Sequence, residues 1–134
     1  MSTNQPSQIM PMIAVPSVDA AREFYVNKLG FGHQMGVLGK DGQLEFCTVV
    51  RDGAKIMFTR ADGPTPAPSV QIYFQVGDID GYYSRLSSAG VACTDPENMW
   101  WGDRVFIATD NNGYKIWFYE TVSEPAIPEG MKVV

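Results

Sequence analysis

The chain has 134 residues, 45% of them hydrophobic and 12% aromatic, with seven methionines and a formal net charge of −5. That length and apolar share suit one compact domain, and the acidic balance argues against a nucleic-acid binder, which needs a basic face. The N-terminal MSTNQPSQ is polar and no apolar run reaches the roughly 18 residues of a membrane span, so a soluble, unexported, cytoplasmic protein is expected. Cys47 and Cys93 fit no metal spacing and read as small hydrophobes rather than a disulfide.

The first apolar strand is MPMIAV (10–15), followed by Ser17 as a helix N-cap. A helix burying Val18, Ala21, Phe24 and Tyr25 then runs to a stop at Gly30. Three strands follow, the last two joined at Arg51-Asp52-Gly53, where Asp-Gly tolerates the positive φ of a tight hairpin. The proline-bearing RADGPTPAPS (60–69) reads as an extended linker. A second strand, QIYFQV (71–76), leads to the cap Asp78 and a helix burying Ile79, Tyr82, Tyr83 and Leu86, with a stop at Gly90. Three more strands follow, the last two turning at Asn111-Asn112-Gly113, and the tail SEPAIPEG (123–130) is expected along the surface.

The two halves repeat each other. GQLEFCTVVRDGAKIMF (42–58) aligns without a gap on GDRVFIATDNNGYKIWF (102–118), with Gly42, Phe46, Gly53, Lys55, Ile56 and Phe58 identical to their partners at an offset of 60. A single duplication of this length means two similar modules rather than a solenoid. The expectation is a single domain of class α+β, made of two tandem βαβββ modules at about 9–60 and 70–121, a linker at 61–69 and a tail at 122–134.

This arrangement resembles the vicinal oxygen chelate superfamily, which includes glyoxalase I, extradiol dioxygenases and bleomycin resistance proteins. AAREFYVNKLGF (20–31) and WGDRVFIATDNNGYKIWF (101–118) carry the likeness. The resemblance implies a curved mixed sheet around an open cavity and, in metal-dependent members, one divalent ion held by His, Gln or Glu from the first and last strand of each module. Carried onto this chain, those slots fall on Met10, Met57, Gln71 and Trp117. Only Gln71 offers a suitable oxygen, since thioether sulfur is soft and indole has no donor atom, so no metal or other cofactor is expected. His33 belongs to the second strand, away from the slots.

Strand alternation then extends the slots to a cavity face. Met12, Met57, Gln71, Tyr73, Trp117 and Tyr119 are expected on it, while Ile13, Val15, Ile56, Phe58, Phe74, Ile116 and Phe118 pack under the helices. Val105 and Ile107 read as core-facing, which sends Arg104 and Phe106 to the cavity; the face of Glu45 stays open. Trp100 and Trp101, in MWWG (99–102), are expected near the rim, over a planar ligand. No nucleophile–base pair or phosphate loop emerges, although Tyr73, Tyr119, His33 and Glu45 are able to exchange protons.

The reading is a metal-free small-molecule binding protein that sequesters an aromatic compound, a cationic one included. It resembles the bleomycin resistance group and is expected to be a homodimer. The alternative is an enzyme of the same superfamily with a non-standard site, its catalytic residues unknown. A third class, a protein-binding module, needs the tryptophans on an outward patch.

Overall fold

The structure is a computed structural model that describes residues 7–62 and 71–134. Most of the expected linker, from residue 63 on, lies outside the described residues. The chain divides into two compact units, Met1–Thr65 and Pro66–Val134. Each carries one module of the α+β, βαβββ type, and each is described by itself.

In the first unit the strands are β1 (Met12–Val15), β2 (Gly32–Leu38), β3 (Leu44–Arg51) and β4 (Ala54–Arg60), in the sheet order β1-β4-β3-β2. β1 runs parallel to β4 and the other pairs are antiparallel. Helix α1 (Val18–Glu23) starts where Ser17 Oγ accepts the Ala20 N–H at 3.1 Å, and it continues into a wider π turn over Phe24–Lys28. Gly30 stops it in the left-handed region at φ 81°, where a Cβ would be strained. Tyr25 is fully buried against Phe58 and Phe31, whereas Phe24, expected inside, is only half-buried.

The second unit contains β5 (Ile72–Gln75), α2 (Ile79–Ser88), β6 (Ala92–Cys93), β7 (Glu97–Asn98), β8 (Asp103–Thr109) and β9 (Lys115–Thr121). The sheet order is β5-β9-β8-β6, with β7 also on β8, so the strand after the helix is split into two short pieces around Thr94-Asp95-Pro96. Asp78 caps α2 by accepting the Gly81 N–H at 3.1 Å. The two final hairpins differ in their turns. Asp52 and Gly53 both have positive φ, at 49° and 84°, as a two-residue turn requires. In the second, Asp110 accepts the N–H groups of Asn112 and Tyr114, and Gly113 alone turns left-handed.

One face of each sheet packs under its helix. Ile13, Val15, Cys47, Val49, Ile56 and Phe58 form that face in the first unit; Phe74, Val76, Phe106, Ala108, Ile116 and Phe118 form it in the second, all buried. The other, open face carries Met12 and Met57 in the first unit and Tyr73, Trp117 and Tyr119 in the second.

Candidate functional site

The register of the second sheet brings an aromatic group together on its open face. β5 and β9 pair Tyr73 with Trp117, and β8 and β9 pair Val105 with Tyr119 and Asp103 with Thr121, so these side chains point the same way. Tyr73 stacks on Tyr119 at 4.3 Å between ring centroids and 18° between planes. Trp117 lies 6.3 Å from Tyr73, tilted by 41°.

Hydrogen bonds fix these rings. The Tyr73 hydroxyl donates to Asp103 Oδ2 at 2.6 Å and accepts the Trp101 indole N–H at 2.9 Å. The Thr121 hydroxyl donates to the other Asp103 oxygen, Oδ1, at 2.8 Å. Trp117 donates its indole N–H to Gln71 Oε1. Burial of its hydroxyl, then the bond to Asp103, pushes the Tyr73 phenol up to about 12, so it is a neutral group at physiological pH. The residue as a whole is nevertheless 46% exposed. The rings are thus held from behind while part of their surface is open.

Trp101 is placed by a turn that the chain's tail clasps. Gly102 N–H donates to Met99 O at 3.1 Å, and Met99 N–H donates to Asp103 O at 2.8 Å. The Gly102 carbonyl accepts the N–H groups of Val122 and Ser123, and Ala126 N–H donates to Trp100 O at 2.6 Å. Gly102 has φ +101°, and a Cβ there would come within 2.3 Å of Ser123 O. Only glycine fits that backbone and that approach. Trp100 meets Trp101 edge to face at 5.6 Å.

Of the expected site residues, the structure gathers Gln71, Tyr73, Trp101, Trp117 and Tyr119, with Trp100 against Trp101. Two placements are corrected. Phe106 is fully buried on the helix side, opposite Phe118 and against Tyr82 and Tyr83. Arg104 lies on that side too, with its guanidinium on Asp80 of α2 and on Asn98. Both faces of β8 are apolar at its centre, with Val105 and Ile107 on one and Phe106 and Ala108 on the other, so residue types alone do not reveal which one the helix covers. The hairpin register does: counting outward from Asn112 pairs Phe106 with Phe118. The same count pairs Asp103 with Thr121 and would have identified Asp103, which the sequence reading missed.

Met12 and Met57 belong to the first unit, where they sit side by side in register on the open face, next to Thr48. His33 and Glu45 fall on its helix side. His33 pairs with buried Val49, and its Nδ1 accepts the Arg22 Nε–H at 2.9 Å. Glu45 forms an ion pair with Arg60 at 3.0 Å.

The four expected metal slots carry two thioethers, an indole and one amide, and the oxygen of that amide already accepts the Trp117 N–H. Among the described residues, no three His, Cys, Asp or Glu side chains gather around a common point. This donor set does not fit a hard divalent ion, which takes several carboxylate, carbonyl or imidazole ligands.

A family model described as the glyoxalase/bleomycin resistance protein/dioxygenase superfamily matches residues 7–118, and the chain belongs to that superfamily. An uncharacterized protein of Mycobacterium bovis is 29% identical over 129 aligned residues, covering 85% of this chain and 83% of its own. Among solved structures, a bleomycin resistance determinant encoded on the transposon Tn5 superposes with a TM-score of 0.73 at 20% identity, over 87% of this chain and 98% of that one. TnmS3, an antibiotic binding protein from Streptomyces sp. CB03234, is 26% identical with a TM-score of 0.63, over 86% and 97%. Among the described residues, no helix is long and apolar enough to cross a membrane.

Proposed function

We propose that this chain is a metal-free binding protein that sequesters a planar aromatic small molecule on the aromatic face of its second module. One observation carries the reading. Tyr73, Tyr119, Trp117 and Trp101 are tied to one another and to Asp103 and Gln71, yet Tyr73 stays half exposed. Rings fixed before binding lose little freedom when a planar compound stacks on them, and each stacking contact adds about 0.5–1.5 kcal/mol beyond buried area. TnmS3, which binds an antibiotic, supports the reading by likeness.

The test is a fluorescence titration with a panel of planar compounds. Binding is expected to quench tryptophan emission, and Trp117→Ala to weaken it by about 1–2 kcal/mol, roughly 5- to 30-fold. If no compound quenches and Trp117→Ala instead destabilises the fold by about 3–5 kcal/mol, Trp117 is core filling and the proposal fails. A stoichiometric metal in the purified protein, lost on Gln71→Ala, would favour the superfamily's enzymes instead.

The enzyme reading has narrower support. The Tyr73 proton is committed to Asp103, and His33 and Glu45 are engaged on the helix side of the first sheet.

We also propose a homodimer. β2 is an edge strand whose seven residues are all exposed, Met35, Val37 and Leu38 among them, and an apolar open edge is commonly covered by a second chain. Sedimentation at micromolar concentration should give twice the chain mass; a monomer refutes it.

A further inference from the structure

We propose that the compound bound on the second module is a cationic aromatic, and that Asp103 is the residue that selects for its positive charge. This rests on the aromatic-site reading above and names the class of ligand.

Asp103 is buried, 9% exposed, and lies behind the ring group through the Tyr73 hydroxyl. Both its oxygens accept hydroxyl protons, from Tyr73 and Thr121, but among the described residues no basic side chain pairs with it. Asp41 and Glu45 share Arg60, and Asp80 has Arg104, although all three are far more exposed. A buried carboxylate without a cation is costly, because two hydroxyl bonds do not replace lost hydration. Hydrogen bonding alone does not demand the charge either. A neutral asparagine offers an acceptor for Tyr73 and a donor that the Thr121 oxygen accepts. What asparagine cannot supply is negative potential in a poorly hydrated place, where a charge acts more strongly than in water.

That potential is directed at the rings. Tyr73 donates its proton to Asp103, which enriches the Tyr73 ring in electron density, and Tyr119 stacks on that ring. A cation over these faces meets the ring quadrupoles with the carboxylate behind them. The opposite end of the same face carries Lys115, paired with Thr109 six residues along β9 from Thr121, a separation of about 20 Å. The face is therefore polar along its length, and a ligand's positive end is drawn toward Tyr73 and Tyr119.

The test uses two probes with one ring system, N-methylacridinium, which is permanently charged, and acridine at mildly alkaline pH, where it is neutral. Wild type is expected to bind the charged probe about tenfold more tightly, a preference that largely survives about 0.5 M salt because a buried charge is screened much less than surface charge. Asp103→Asn is expected to bring that ratio within about twofold. Equal binding of both probes by wild type overturns the inference while leaving the aromatic site standing. So does an Asp103→Asn protein that weakens both probes by the same factor, since Asp103 then acts only as scaffold. If that variant does not fold, the salt dependence of wild type decides: a preference lost at about 0.5 M salt belongs to surface charge and overturns the inference. Binding of neither probe to folded wild type overturns the inference and the aromatic-site reading together.

Discussion

In the first module Met12 lies beside Met57; at the equivalent register of the second, Tyr73 lies beside Trp117. The helix-facing sides of the same strands are almost the same in both, with Ile56 and Phe58 buried in one and Ile116 and Phe118 in the other. The difference teaches which face packing dictates. A side chain under the helix is held to one volume by close-packed neighbours, so a duplicated strand keeps it. The open face has no such constraint, and there the copies have separated into flexible thioethers and rings locked by hydrogen bonds.

The largest expected effect comes from the glycines that begin the aligned segments. Gly102→Ala places a Cβ against the Ser123 carbonyl on a left-handed backbone, whereas Gly42, its counterpart at φ +80°, has nothing within 4 Å. Gly42→Ala should therefore cost only about 1 kcal/mol, the left-handed penalty, and Gly102→Ala about 2–4 kcal/mol because the tail must also move. Urea denaturation measures both. Equal costs would mean that the clasp between the tail and the MWWG turn contributes nothing to stability.

Exchanging the diverged residues tests the comparison directly. Trp117→Met gives the second module the residue of the first, removes the bond to Gln71 and should weaken binding of a planar probe by about 1–2 kcal/mol. Met57→Trp should not strengthen that binding, since the first module has methionine, not tyrosine, at Met12 in the register position of Tyr73. A gain of binding from Met57→Trp would show that a single ring, without its supporting bonds, is sufficient.

Much of this was legible in the sequence for a physical reason. Both helix caps and the Asp52-Gly53 turn are local signals, and each acts within a few residues of where it is written. The face of β8 was not legible from residue type, because Val105, Phe106, Ile107 and Ala108 are all apolar and only pairing across the hairpin separates them. Glu45 was ambiguous for a similar reason. A carboxylate on the helix side looks wrong until Arg60 is seen beside it. The hairpin count reaches Asp103 and Thr121, but the bond to Tyr73 was hidden because Tyr73 lies 30 residues away on a strand outside the hairpin.

The smallest expected effect is the titration of Tyr73, whose register counterpart in the first module is Met12. Tyr73 has a folded-state value of about 12 against an ordinary 10.0, with burial the leading cause and donation to Asp103 next. Between those values the unfolded chain has lost the proton that the folded chain keeps, so stability is fully present below pH 10 and falls as pH rises toward 12. The residue is half exposed, and solvent screening reduces the loss to about 1 kcal/mol. Tyr83 and Tyr114 are also raised, by donation to Asp95 and by burial respectively, so the raw pH curve mixes several groups. The difference between wild type and Tyr73→Phe isolates one of them. Measured by urea denaturation, that difference should narrow by about 1 kcal/mol as pH rises through this range. A difference that stays constant would show that the Tyr73 proton is held no more tightly in the folded chain than in the unfolded one, and the bond to Asp103 would then not be what fixes the ring.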